Sequence, residues 1–382
     1  MAKRKSILFV RPDYHNSFFL RDELRKLGWK ADIFVESTYP EMLLYSNEDI
    51  VQFAKARYPF VQKLIKFVGF FLLLLRYRYF FAYGVPGTFQ GLNIFRRLNP
   101  FLQIFLGKSF DLTLAILRGF GKKIVFVPTG SCDLMLQNEV MDLHDGRKCA
   151  HCWRLDTNWC DDEKRKVLNE RTLRYADMTV GGGLFSFPGV PQTHIKYKCL
   201  DLEAWNPEIE VPGEYRLEKD GRLIIMHTVA DVYGWRGDQK GSSYIQDAVA
   251  RLRREGYPVE LFNPKGVPSN RMRYYQVQAD IVVDQLISGW WGSTGVETMS
   301  LGRSFVCYLH PRLKSQFLMS FPEFEDLPIV EATPETIYLV LKELVLDESF
   351  RRKMGQASRA FAERFFDKKR NAKELERALL AL

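Results

Sequence analysis

The chain has 382 residues, 46% of them hydrophobic and 26% charged, enough for two buried cores of ordinary domain size and too apolar for global disorder. The net charge of +9 is concentrated. From Ile50 to Phe110 there are nine basic residues and no Asp or Glu, which leaves the remainder balanced at 46 basic against 46 acidic. Six cysteines suggest thiols or a metal site more than a disulfide framework, and the start Met1-Ala2-Lys3-Arg4-Lys5 leads into a strand too short for a secretory apolar region, so a cytoplasmic chain is expected.

Ser6–Val10 reads as a first strand, with a polar loop holding His15 after it. Ser17 is placed to cap a helix ending at Gly28, and Ala31–Val35 is a second strand. This alternation predicts α/β architecture with doubly wound parallel sheets. In the basic segment, Phe67–Leu75 is uncharged but far short of the ~20 residues needed to span a bilayer. It lies among Lys63, Lys66, Arg76 and Arg78, with Tyr77, Tyr79, Phe80 and Phe81 beside it, and a second apolar and basic patch follows at Phe89–Phe110. This is the pattern of a helix held in a membrane interface by anionic lipid, so residues 50–110 are expected to meet the inner membrane face. Alternatively, Phe67–Leu75 is a buried helix with solvated lysines. Nucleic acid is not expected, because aliphatic runs such as Phe70–Leu75 give bases nothing to stack on.

Lys122–Val127 is a further strand, running into Gly130, Ser131, Cys132 and Asp133. Cys149 and Cys152, with two residues between them, are followed by Cys160, with His144 and His151 nearby. Cys132, Cys149, Cys152 and Cys160, or His144 in place of Cys132, have the chemistry of a tetrahedral zinc site. Such a site, filled by protein, would be structural. A disulfide or unligated thiols are the alternatives. Asp161–Tyr175 reads as a helix, Met178–Val180 and His194–Lys198 as strands, and the Pro/Gly-punctuated stretch from Trp205 to Glu214 as a linker. The expected domains are 1–205, 206–360 and a terminal helix, 361–382, that packs back on the first domain.

The second half opens on strand Arg222–Val229, a loop with Arg236 and Lys240, and a helix for which Ser242 is the expected cap. Strand Val259–Phe262 and a helix capped by Ser269 lead to strand Ile281–Val283. The loop Gly289–Gly295 and a helix near Val296–Leu301 follow, closed by Gly302 in a left-handed conformation, and then strand Ser304–Leu309. Thr333-Pro334-Glu335 is read as the start of the C-terminal helices, the last running from about Arg352 to Leu382. A basic loop and a Gly-Ser-Thr loop at the carboxyl ends of parallel strands face one crevice, where a diphosphate would meet fixed cations and helix N–H groups.

These segments, MHTVADVYGWRGDQKGSSYIQDAVARLRREGYPVEL and GWWGSTGVETMSLGRSFVCYL, resemble the donor-site units of the GT-B glycosyltransferases of the large retaining family 4, the group 1 glycosyl transferases. GKKIVFVPTGSCDL resembles that family's first-domain Gly-Ser-Asp loop more weakly. The resemblance implies two Rossmann-like domains and transfer of a sugar from a nucleotide donor, UDP- or GDP-linked, to a lipid-linked or polysaccharide acceptor. It implies a catalytic diphosphate clamp of Arg236 and Lys240, and Glu297 on the ribose. Gly292, Ser293 and Thr294 would serve phosphate or sugar, with Gly130, Ser131, Asp133 and His15 on the acceptor side. No metal ion is implied for catalysis. The family often carries a second glutamate eight residues before the first-named one, and here that position is Gly289. A non-catalytic GT-B-like membrane scaffold or glycan-binding protein is the rival that this departure supports.

Overall fold

The computed structural model describes the chain except residues 1–4, 13–14, 36–48, 85–91, 93, 129, 153–159, 182–183, 185–189, 191, 230–237 and 239. Among the described residues the strands are β1 (Ser6–Val10), β2 (Lys30–Phe34), β3 (Ile50–Val51), β4 (Tyr79–Tyr83), β5 (Lys123–Val127), β6 (Met178–Gly181), β7 (Gln192–His194), β8 (Leu223–His227), β9 (Val259–Phe262), β10 (Ile281–Val283), β11 (Ser304–Cys307) and β12 (Val330–Glu331). All pair in parallel, in two sheets ordered β3-β2-β1-β4-β5-β6-β7 and β12-β11-β10-β8-β9. The chain divides into two compact units. One holds residues 1–137, 161–197 and 369–382, and the other 138–160 and 198–368. The cysteine-bearing stretch 138–160 therefore groups with the second sheet.

In the first unit β1, β4 and β5 are buried on both faces, as a parallel sheet covered by helices requires. Strand β4 has no counterpart among the sequence expectations. The expectation that Tyr77, Tyr79, Phe80 and Phe81 border a membrane helix is not met: Tyr79, Phe80 and Phe81 are buried in the centre of the sheet, and buried Tyr77 donates to Asp32. Five consecutive apolar residues carry no alternation, so a buried strand and an apolar border look alike in sequence.

The helix Pro59–Arg76 starts on a proline that needs no amide partner and buries Phe70, Leu73 and Leu74 against the sheet. Its opposite face is exposed at Phe60, Leu64, Phe67, Val68, Leu72 and Leu75. Asp111 caps the helix Leu112–Gly119 by accepting from Leu114 N at 3.1 Å. The final helix, Lys368–Ala381, belongs to this unit: Glu376 accepts from Trp29 Nε1 at 2.7 Å and Lys5 Nζ at 2.9 Å, and Glu374 from Lys196 N at 3.2 Å.

Both sheets use one joint. An aspartate opening a strand accepts from a backbone N–H of its neighbour and pairs with a lysine. Asp177 does so with Ile124 N (2.9 Å) and Lys123, and Asp280 with Ile224 N (2.8 Å) and Lys219. In the second unit Ile225, Val283 and Val306 of the sheet pack with Ile245, Val249 and Leu252 of the helix Ser242–Arg254. A ring cluster packs Trp291, Phe317 and Phe324 against Phe361 and Phe365 of the helix Glu348–Phe365.

Helix starts differ from the sequence expectations. Asn16 begins the first helix with His15 at its N-cap, and Gly241, left-handed at φ 76°, is the cap expected of Ser242. Arg271 caps Met272–Gln276 in place of Ser269, and Ile337–Leu346 starts after Thr336. The expected single terminal helix breaks at Phe366–Asp367 into Glu348–Phe365 and Lys368–Ala381. Side chains with local hydrogen-bonding power cluster near helix starts, and which of them caps depends on tertiary partners.

Candidate functional site

In the second sheet the chain runs from β8 outward to β9, then returns to place β10 on the other side of β8. The order reverses between β8 and β10, and their carboxyl ends form the crevice where α/β sheets take ligands. Lys240 follows β8, and the loop to the helix Ser293–Ser300 follows β10. Gly292 is the N-cap of that helix, whose first amides and dipole favour an anion. The helix starts three residues earlier than Val296, so Ser293 and Thr294 sit in its first turn.

A buried aspartate ties these parts together. Asp284, fully buried at the end of β10, accepts from Lys240 Nζ at 2.7 Å through Oδ1 and from Gly292 N at 2.7 Å through Oδ2. Lys240 Nζ also donates to Thr228 O at 2.8 Å. An ammonium has three protons, so among the described residues one remains for a ligand. The hydroxyls of Thr228 and Thr294 lie 3.1 Å apart and join the β8 end to the helix start. Asp284 was not among the sequence candidates. Its only signal was a charged residue directly after an apolar strand.

His227 closes the floor. Its Nδ1 is 2.9 Å from Val283 O, which can only accept, so Nδ1 carries the proton and Nε2 accepts from Ser242 Oγ at 2.8 Å. Burial and the charge of Lys240 push its pKa down to about 4, so the ring is neutral. Glu297 is buried in the helix and accepts from Gln276 Nε2 at 2.7 Å. Burial pushes its carboxyl up to about 8 against the pull of Gln276, so it carries a proton at neutral pH. A neutral carboxyl can both donate to and accept from a hydroxyl.

The position where the resemblance led us to expect a glutamate has a backbone and surroundings that suit glycine. Gly289 adopts φ 73°, and an added Cβ would lie 2.8 Å from His310 Cβ and 3.4 Å from His144 Nδ1. Gly289 O accepts from His310 N at 2.8 Å. His310 is held in turn: Nδ1 accepts from Arg312 N at 3.2 Å, and Nε2 lies 3.3 Å from Asp145 Oδ2. His144 and His310 approach at 6.1 Å, and burial pushes His144 down to about 3. A larger side chain at 289 has neither backbone nor space. The neighbouring Trp290 and Trp291 stack at 4.0 Å and are buried, so they anchor the loop and present no face to a ligand.

The remaining candidates stand apart. Arg236 lies outside the described residues. In the first unit, His15 is buried with its ring 5.8 Å from Phe19, and Ser131 is buried at the start of a helical turn, Ser131–Leu134, that Gly130 precedes. Asp133 lies in that turn, its side chain outside the described set. Among the described residues no three His, Cys, Asp or Glu side chains gather as a metal site. Cys149 is buried, Cys132 and Cys152 are half-buried and Cys160 is exposed.

No protein-family model and no curated protein matches the chain. Solved structures do. HepE of Anabaena in complex with UDP aligns over 99% of this chain and 100% of its own, at 12% identity and TM-score 0.57. Sucrose-phosphate synthase from Thermosynechococcus elongatus aligns over 99% and 100%, at 12% identity and TM-score 0.56. UDP-GlcNAc 2-epimerase from Neisseria meningitidis, bound to UDP-GlcNAc, aligns over 99% and 100%, at 10% identity and TM-score 0.50. These likenesses establish architecture: the chain has the two-domain α/β fold of the GT-B glycosyltransferases.

Proposed function

We propose that the protein is a glycosyltransferase of the hexosyltransferase type, which takes a sugar from a UDP- or GDP-sugar and delivers it to a lipid-linked or cell-surface polysaccharide acceptor. The observation that carries this reading is the convergence of the Lys240 ammonium and the Ser293–Ser300 helix start at the strand reversal of the second sheet. Fixed N–H donors and a cation there suit a diphosphate and stabilise the charge that builds on it as the sugar departs. Arg236 adds a second cation in this reading. Glu297, protonated and beside Gln276, exchanges hydrogen bonds with the ribose. Side chains and a helix terminus carry the leaving group in this reading, without a metal ion, and retention is what the resemblance of the donor-site segments to a retaining family implies. Similarity in fold to proteins bound to UDP and to UDP-glucose supports the donor class.

The protein works at the cytoplasmic face of a membrane in this account. Among the described residues no helix is long and apolar enough to cross one. The helices Pro59–Arg76 and Asn99–Leu106 instead expose a broad apolar surface, including Phe60 (76%), Phe101 (62%), Ile104 (75%) and Phe105 (72%). Exposed Lys63, Arg76, Arg96, Arg97 and Lys108 accompany them, with no acid in the segment. Apolar faces of this size with basic borders fit an anionic lipid surface. The test is incubation with labelled UDP- and GDP-sugars and a membrane lipid extract. Label passing to lipid or glycan supports the reading. Isomerisation of the free sugar nucleotide would favour the epimerases that share the fold, and neither outcome would favour the scaffold.

A further inference from the structure

We propose that Asp284 is a positioning residue of this site, one that aims Lys240 and the first helical turn at the diphosphate; the assignment rests on the nucleotide-binding reading above. The carboxylate is fully buried at the end of an apolar strand, where the core alone would take an aliphatic side chain. Burying a charge is costly unless it is paired, and a buried pair adds little net stability. What the pair supplies here is geometry. One oxygen fixes the ammonium and the other fixes the N-cap amide, so a single rigid group sets the separation of the two donors. The groups facing Asp284 on neighbouring elements are His227, Glu297 and Cys307. Burial favours the uncharged form of all three, so they add no charge to the Asp284–Lys240 pair at neutral pH. Gly292 has no Cβ, and one added there would come 3.3 Å from Asp284 Oδ2, so the short contact depends on glycine.

Two accounts of Asp284 predict opposite signs. If the carboxylate merely adds negative charge beside an anion site, Asp284→Asn tightens diphosphate binding. If it positions Lys240, Asp284→Asn weakens binding, because asparagine keeps an acceptor for Gly292 N–H but turns from the ammonium. The experiment is calorimetric titration of UDP into wild type, Asp284→Asn, Lys240→Met and the double variant. Positioning predicts that each single variant weakens UDP by about tenfold or more, the scale of one charged hydrogen bond, and that the double variant is no weaker than Lys240→Met. Unchanged or tighter binding in Asp284→Asn, or an additive loss in the double variant, overturns the assignment while leaving the nucleotide reading intact. No binding of UDP, GDP or CMP to wild type overturns both.

Should Asp284→Asn not fold, Asp284→Glu decides. It keeps the buried negative charge but moves the carboxylate by one methylene relative to Lys240 and Gly292. Positioning predicts UDP binding weakened by about tenfold; wild-type affinity, as a role in charge alone requires, would overturn the assignment.

Discussion

Gly289 and Glu297 show how much a single residue decides. At Gly289 both backbone and space demand glycine, so Gly289→Ala should cost about 1–3 kcal/mol, from a left-handed conformation and a contact with His310 that must open. A chemical denaturation curve measures it, and an unchanged midpoint would show that the loop relaxes freely. Glu297 makes a prediction about pH. Its folded carboxyl is raised by burial to about 8, so between the ordinary glutamate value and about 8 the unfolded chain releases a proton that the folded chain keeps. Stability contributed by this group therefore falls as pH rises through that window. Glu297→Gln removes the dependence, and the variant should gain on wild type by on the order of a few kcal/mol between pH 5 and 8, with no gain at pH 4. Equal melting profiles across that range would contradict a protonated Glu297. The sequence marked both positions, one as a departure and one as a candidate. It could not show that histidines 144 and 310, far apart in the chain, crowd residue 289, because that contact exists only after folding.

Elements were legible where periodicity is clean. The helix Ser242–Arg254 has apolar residues on one face, and the paired strands β8 and β10 are short β-branched or apolar runs bounded by turns. Strand β4 was missed because its aromatics adjoin a helix that is itself aromatic and aliphatic. The same segment yields the element-scale prediction. Phe67 and Phe70 pack on Phe95, four residues before the second exposed helix starts at Asn99, so the two apolar faces belong to adjoining parts of one unit. Fully burying such a side chain stabilises by about 1.5–3 kcal/mol each. Phe60→Ser with Ile104→Ser should lower binding to vesicles containing anionic lipid by about tenfold or more, with little change in melting temperature because both side chains are already in water. Arg96→Glu with Arg97→Glu should remove the preference for anionic over neutral vesicles. Co-sedimentation reads both, and full binding by both double variants would exclude this surface as the lipid contact.

At the scale of the molecule, two units repeat one plan: parallel sheets, an aspartate joint between neighbouring strands, and a strand reversal. Alternating strands and helices made that plan readable, as did the glycine-rich segment after β10. Residues 138–160 group with the second sheet, a placement that chain order does not suggest, and 369–382 group with the first. The loops after β8 and β10 were found from their residue types, whereas Asp284, which joins them, becomes visible only once Lys240 and Gly292 come within 2.7 Å of it.

A transferase must bind a nucleoside diphosphate at the strand reversal of the second sheet, and a scaffold need not. The deciding experiment is calorimetric titration of UDP, GDP and CMP, and of UDP- and GDP-sugars, into wild type and Glu297→Ala. Saturable binding of one nucleoside diphosphate and its sugar is expected, weakened in Glu297→Ala by about 1–3 kcal/mol. No binding by any member of the panel would rule out the transferase and leave the scaffold in its place.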